Sequence, residues 1–221
     1  LTVTHYEGQA SSVGKVTGGV TFQAIGHGAA ELRDSLRQLP PDADVSHVVA
    51  QKLRTKSGGT QFASGSSENV RTMTKPLRLS ASFDLQNVAM DYDKFSFNLR
   101  DLMGDALPGA FRKVRRFPRL LPGPARWDTT VRLTLPTGYQ ATVPEPVELS
   151  WSGVRFYMAC EVQAEHMTCA RRVELLQQIM MPSNWGQFRA MADKLAALDE
   201  SKLVIYRGDG NLDTDGAGVL P

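Results

Sequence analysis

Two apolar-alternating runs, Val154 to Gln163 and His166 to Leu176, are separated only by Ala164-Glu165, and no other stretch of the chain restricts its fold as tightly. Alternation with a period of two marks strands with one buried face. A two-residue connection makes them a hairpin in which opposed positions sum to a constant. Cys160 then faces Cys169, Val162 faces Met167, Phe156 faces Val173 and Val154 faces Leu175. With Met158 these side chains form one apolar face, interrupted only by Arg171. The opposite face carries Arg155, Tyr157, Glu161, Gln163, His166, Thr168, Arg172 and Glu174. A slip of one residue would exchange the two faces, so the register is strongly specified. The Ala-Glu pair is the weak point, because a type I′ turn favours residues that accept a positive φ.

The same period recurs elsewhere. Thr129, Val131, Leu133 and Leu135 point one way and Thr130, Arg132 and Thr134 the other. Leu77, Leu79, Ala81, Phe83 and Leu85 alternate with Arg78, Ser80, Ser82 and Asp84, and Phe95, Phe97 and Leu99 repeat the pattern. Leu1–Tyr6 and Val13–Ala24 read as two strands joined around Glu7-Gly8-Gln9, with Gly18-Gly19 weakening the second or marking a bulge. Helical spacing replaces alternation in three places. Ala29, Leu32, Leu36 and Leu39 form a stripe that Pro40-Pro41 ends, with Glu31, Arg33, Asp34 and Arg37 on the exposed side. Val45, Val48, Val49 and Leu53 form a second stripe capped by Asp42 or Asp44, which completes a helical hairpin. Trp185, Phe188, Met191, Ala192, Leu195 and Leu198 give a helix that starts at Pro182-Ser183 and needs a sheet to lie on. Leu203 to Tyr206 adds a last strand, while residues 56–67 read as a loop and 101–109 as turn-rich.

The expected fold class is therefore α+β, mainly β, with antiparallel sandwich-like sheets, a helical hairpin near the N-terminus and one C-terminal helix packed on a sheet. The expected organisation is an α+β subdomain over residues 1–109, an antiparallel β subdomain over 110–206 and a flexible tail or linker over 207–221. A chain of 221 residues, 42% of them hydrophobic, can bury an adequate core for this. A formal charge of +2 gives no global attraction to nucleic acid, and no apolar run approaches a bilayer span, so neither nucleic acid nor membrane insertion is expected. The chain opens at Leu1 within an alternating stretch and without a leader pattern, and is expected to be a piece of something longer.

Two cysteines are too few for a disulfide scaffold or a cysteine-only zinc site. Their opposition in the hairpin leaves two readings open: a cross-strand disulfide between Cys160 and Cys169 in an oxidising compartment, or two buried thiols acting as small hydrophobes. A cysteine nucleophile needs a histidine within hydrogen-bond reach. Here His166 belongs to the opposite face of the hairpin, and His5, His27 and His47 lie in other segments. No phosphate cradle, helical metal motif or cofactor site is evident, and no catalytic residue is expected.

The one dense charge cluster is Arg112, Lys113, Arg115, Arg116 and Arg119, continuing to Arg126. It could meet a polyanion or an acidic carbohydrate. Pro118, Pro122 and Pro124 break it, and a solvated connection between layers is the simpler account. Asp209, Asn211, Asp213, Asp215 and Gly216 have the alternate-oxygen spacing of the start of a calcium loop, but no acidic residue closes it before Pro221. Arg207-Gly208-Asp209 is a tripeptide that chance supplies often.

Leu-Pro-Thr-Gly-Tyr at 135–139, Val-Pro-Glu-Pro-Val at 143–147, the hairpin, Pro-Ser-Asn-Trp at 182–185 and the closing helix resemble the C-terminal region of bacterial transglutaminase-like proteins. The segment Gly26-His27-Gly28-Ala29-Ala30-Glu31-Leu32-Arg33 looks like the one that follows the papain-like core of those proteins. The resemblance runs in order through residues 1–206. It implies a β-rich domain of unknown function behind a core that uses a Cys, His and Asp set. No segment here looks like that core, and none of its catalytic residues can be carried onto this chain. The expectation is a non-catalytic module of a larger, periplasmic or otherwise extracytoplasmic bacterial protein. Its partner would be the transglutaminase-like core of the parent chain, or another protein.

Overall fold

The computed structural model describes residues 1–40, 42–53, 59–86, 88–106, 119–120, 124–151, 153–176 and 179–208. β1 (Thr2–Ala10) and β2 (Val16–Ala24) pair antiparallel in unbroken register. The turn expected at Glu7-Gly8-Gln9 and the bulge expected at Gly18-Gly19 are both absent. Gly8 lies opposite Gly18, so these glycines mark a close approach of two strands and not an interruption.

α1 (His27–Arg37) buries Ala29, Leu32 and Leu36, as its stripe requires, but it also buries Arg33. The guanidinium of Arg33 donates to the carbonyls of Asn69 at 3.4 Å, Thr72 at 3.2 Å and Lys75, and so pins the turn over residues 69–75. Periodicity had placed this arginine in solvent. α2 (Ser46–Leu53) is capped by Asp44, whose Oδ1 accepts the Ser46 N–H at 2.8 Å and the Gly65 N–H at 2.7 Å. Those two backbone donors hold the Asp44 carboxyl below the usual carboxylate range.

β3 (Thr60–Glu68) occupies most of the stretch expected to be a loop. Its Ser- and Gly-rich sequence has little strand propensity, and pairing with β4 (Leu77–Leu85) overrides it. β5 (Ala89–Asp91), β6 (Lys94–Asn98) and the short α3 (Leu99–Met103) follow, α3 replacing the start of the expected turn-rich segment. Then come β7 (Arg119–Leu120), β8 (Ala125–Thr134), β9 (Tyr139–Thr142), β10 (Val147–Trp151), β11 (Val154–Gln163), β12 (His166–Leu175) and β13 (Ile179–Met180). A 3-10 turn at Pro182–Asn184 leads into α4 (Trp185–Asp199), and β14 (Lys202–Arg207) completes the described chain. The expected boundary near 109 and residues 209–221 of the expected tail lie outside the described residues, while Arg207, expected to open that tail, ends β14.

The fold is α+β and mainly β. Eight strands form one sheet in the order β10-β11-β12-β8-β1-β2-β4-β3, and four form a second in the order β5-β6-β14-β9. Every pairing in them is antiparallel except β1 with β8, which run parallel. The hairpin of β11 and β12 has the register read from its alternation, with Cys160 opposite Cys169 and Phe156 opposite Val173. Its tip is held by Ala164 at a φ of 51°, the positive backbone angle that this sequence did not favour.

Inward side chains of both sheets meet in one core. Tyr6, Phe22, Phe83, Leu133, Phe156 and Met167 come from the large sheet, and Phe95, Phe97, Leu203 and Ile205 from the small one. α4 lies on the inner side of the β10 end: its Phe188 ring is 5.8 Å from that of Trp151, whose Nε1 donates to Gln187 Oε1 at 2.6 Å.

Candidate functional site: the open polar face of the large sheet

Because the core and α4 occupy the inner side of the eight-stranded sheet, the alternate residues of its strands point the other way. Cross-strand registers align them in rows. One row runs Glu161, Thr168, Arg132, Glu7, Gly19, Ser82, Ala63, and the next runs Ala159, Ala170, Thr130, His5, Thr21, Ser80, Ser66. The second row is composed almost wholly of small side chains, so the face is lowest along it. A groove of about 350 Å³ lies there, lined by His5, Glu7, Thr21, Ser64 and Ser80 over a floor that includes Gly19. A second hollow of about 260 Å³ sits towards the hairpin tip, among Arg132, Glu161, Gln163, His166 and Thr168.

Beyond the groove the face carries a charge clasp. Asp128 Oδ2 accepts from Arg126 Nε and its Oδ1 accepts from Arg172 Nε, each at 2.8 Å. Burial works against the Asp128 charge, but these two guanidinium groups outweigh it and hold the carboxyl below its ordinary value. Such an arrangement of hydroxyls, the imidazoles of His5 and His166 and charges of both signs can make directional hydrogen bonds to a polar ligand or a protein surface. Among the described residues no group of three or more His, Cys, Asp or Glu could hold a metal ion.

The two cysteines are joined in a disulfide with a Cα separation of 4.0 Å. Cys169 is fully buried against the core and Cys160 is partly exposed. His166 is on the far side of the same hairpin, its Nδ1 3.4 Å from Thr134 Oγ1. His27 meets Glu31 at 3.3 Å, and His47 Nδ1 lies 2.9 Å from the Asp44 carbonyl. Substituting both cysteines by serine is expected to lower the unfolding free energy by about 2–3 kcal/mol, because the loop they close is short. Urea unfolding of the native chain with added reductant should move to the value of the double variant.

Arg112, Lys113, Arg115 and Arg116 lie outside the described residues, as do Asp209 to Gly216 of the calcium-like stretch. Arg119 begins β7, which pairs with β13. The groove was not found from sequence. His5, Glu7, Thr21 and Ser80 are the visible polar halves of three strands, and the alternation does mark them as outward. Which strands stand side by side at the groove depends on the β2–β4 pairing, and no local signal encodes it.

Residues 103–205 match the model of a family described as a domain of unknown function with a solved structure, DUF3858. The match runs from the end of α3 to β14. The crystal structure of a putative protease from Parabacteroides distasonis aligns with 48% of this chain at 18% identity and a TM-score of 0.38. The alignment covers 21% of that protein. No curated protein matches the chain. No helix among the described residues is long and apolar enough to cross a membrane.

Proposed function

We propose that this chain is a non-catalytic, β-rich module of a longer extracytoplasmic bacterial protein, which packs on a transglutaminase-like core or presents substrates to it. The carrying observation is the state of the sulfurs. The chain has two cysteines and both are consumed in the hairpin disulfide, so the nucleophile of a papain-like set has to come from another segment. The open polar face adds a surface suited to docking, and the disulfide accords with an oxidising compartment. The ordered resemblance of residues 1–206 to regions that follow such cores supports a transglutaminase-like core as the partner.

The test is reconstitution of this chain with a separately expressed transglutaminase-like core. Association in the micromolar range, with a change in amide-transfer or amide-cleavage rate that His5→Ala with Glu7→Ala reduces, is the expected result. Absence of both association and rate change would overturn the reading.

A further inference from the structure

Sheet edges recruit further strands unless something blunts them. The large sheet ends in β3 and β10. At β3 the register shifts between Ala63 and Ser66, Ser64 takes a φ of 53°, and the Asp44 carboxylate occupies the Gly65 N–H. In the small sheet the edge strands β5 and β9 have only three and four residues. β10 has neither the bulge nor the occupied N–H of β3, and it is longer than β5 and β9. Its five residues keep a regular register with β11, and no backbone hydrogen bond among the described residues reaches its outer side. Val147, Leu149 and Trp151 pack against the core yet stay partly exposed, as a row of side chains missing a neighbour would.

We propose that β10 is a self-association edge, on which a second copy of this chain pairs its own β10 antiparallel about a two-fold axis at Leu149. In that register Val147 meets Trp151 of the other copy, Leu149 meets Leu149, and Glu148 meets Ser150. Aromatic, branched and aliphatic residues oppose one another on the core side, and no like charges meet on the outer side. Sliding the strands by one residue would set apolar side chains against polar ones. A register that opposes Glu148 to Glu148 would bring two carboxylates together. The Leu149-centred register is thus the one that uses all five residues without a conflict. Trp151 is already fixed by Gln187 and Phe188, so little side-chain freedom remains to be lost. An edge this short buries less than a permanent dimer needs, which places the association among weak, reversible ones.

Sedimentation velocity over a concentration series tests the inference. The native chain should pass from monomer to dimer across that series, and a monomer throughout would overturn it. Ser150→Glu is the decisive variant. Ser150 lies opposite Arg155 within the chain, so a carboxylate there suits the monomer, whereas in the dimer it faces Glu148 twice by symmetry. Its dissociation constant should rise at least tenfold with the thermal midpoint unchanged. Adding Glu148→Lys should restore dimerisation by opposing unlike charges. Native-like association of Ser150→Glu, or a folded double variant that stays monomeric, would overturn the proposal.

Discussion

Replacing Arg171 by alanine is expected to lower the unfolding free energy by about 3–5 kcal/mol, because it strands a buried carboxylate. For a chain of this size that corresponds to a fall in Tm of roughly 10 °C. Arg171 projects from β12 into the core and is 7% exposed. Its Nη1 donates to the Gly104 carbonyl at 2.8 Å and to Asp199 Oδ1 at 3.3 Å, and its Nη2 donates to the Met103 carbonyl. Asp199 Oδ2 in turn accepts the Ala106 N–H at 2.8 Å. One guanidinium thereby ties the last turn of α4 and the end of α3 to the large sheet. Tyr6 is buried near the same charge, and its desolvation pushes the phenol well above its ordinary pKa.

Burial outweighs the attraction of Arg171 and pushes the Asp199 carboxyl up to about 6 from 3.8. The folded state therefore holds the Asp199 proton more tightly than the unfolded chain does. The stability that this proton contributes is fully present below about pH 4 and is lost as pH rises through about 6, an effect of about 3 kcal/mol for a shift of this size. Urea unfolding between pH 4 and 7.5 should show this decline in the native chain, and Asp199→Asn should flatten it. Replacing Arg171 by methionine and Asp199 by leucine together should recover most of the loss seen with Arg171→Ala, since neither charge is then left buried alone. A double variant as unstable as the single one would mean that the links to α3, and not the uncompensated charge, dominate.

Arg171 also shows where the sequence could be read and where it could not. Alternation alone gave the hairpin register to the residue, because a one-residue slip would bury Arg155, Arg172 and Glu174 together. It correctly placed one arginine on the apolar face but could not explain it, since the explanation is Asp199, 28 positions away on another element. The same limit applies to Arg33, whose three carbonyl partners lie 36 to 42 residues downstream. β3 was missed because serine and glycine have weak strand propensity, and its neighbour β4 supplies the pairing. The groove at His5 follows from the order β1-β2-β4-β3, in which β2 and β4 pair across more than fifty residues of chain. Patterns of period two and 3.6 report faces, and faces were recovered. Neighbours at long range were not, and the candidate site is made of them.

Gly18→Ala and Gly19→Ala are expected to change stability in opposite directions although the residues are adjacent. Alanine in place of a strand glycine ordinarily stabilises by up to about 1 kcal/mol, through the reduced freedom of the unfolded chain. Gly19 should follow that rule, since a β-carbon there would meet nothing within 4 Å. At Gly18 the same atom would lie 2.2 Å from the Glu7 carbonyl oxygen and 2.5 Å from Gly8 Cα. Both obstacles are backbone, so no rotamer change relieves them. Nor can β1 move aside, because its other edge is hydrogen-bonded to β8 along the parallel pairing, and Gly8 is itself confined by the Thr17 carbonyl and the Phe83 ring. The chain must then distort the centre of the eight-stranded sheet, at a cost of about 3 kcal/mol. Urea denaturation of the two variants against the native chain separates the outcomes by sign. Equal and favourable effects would show that β1 and β2 have room to part at this point, and would remove the close approach as the reason for a Gly-Gly pair inside a continuous strand.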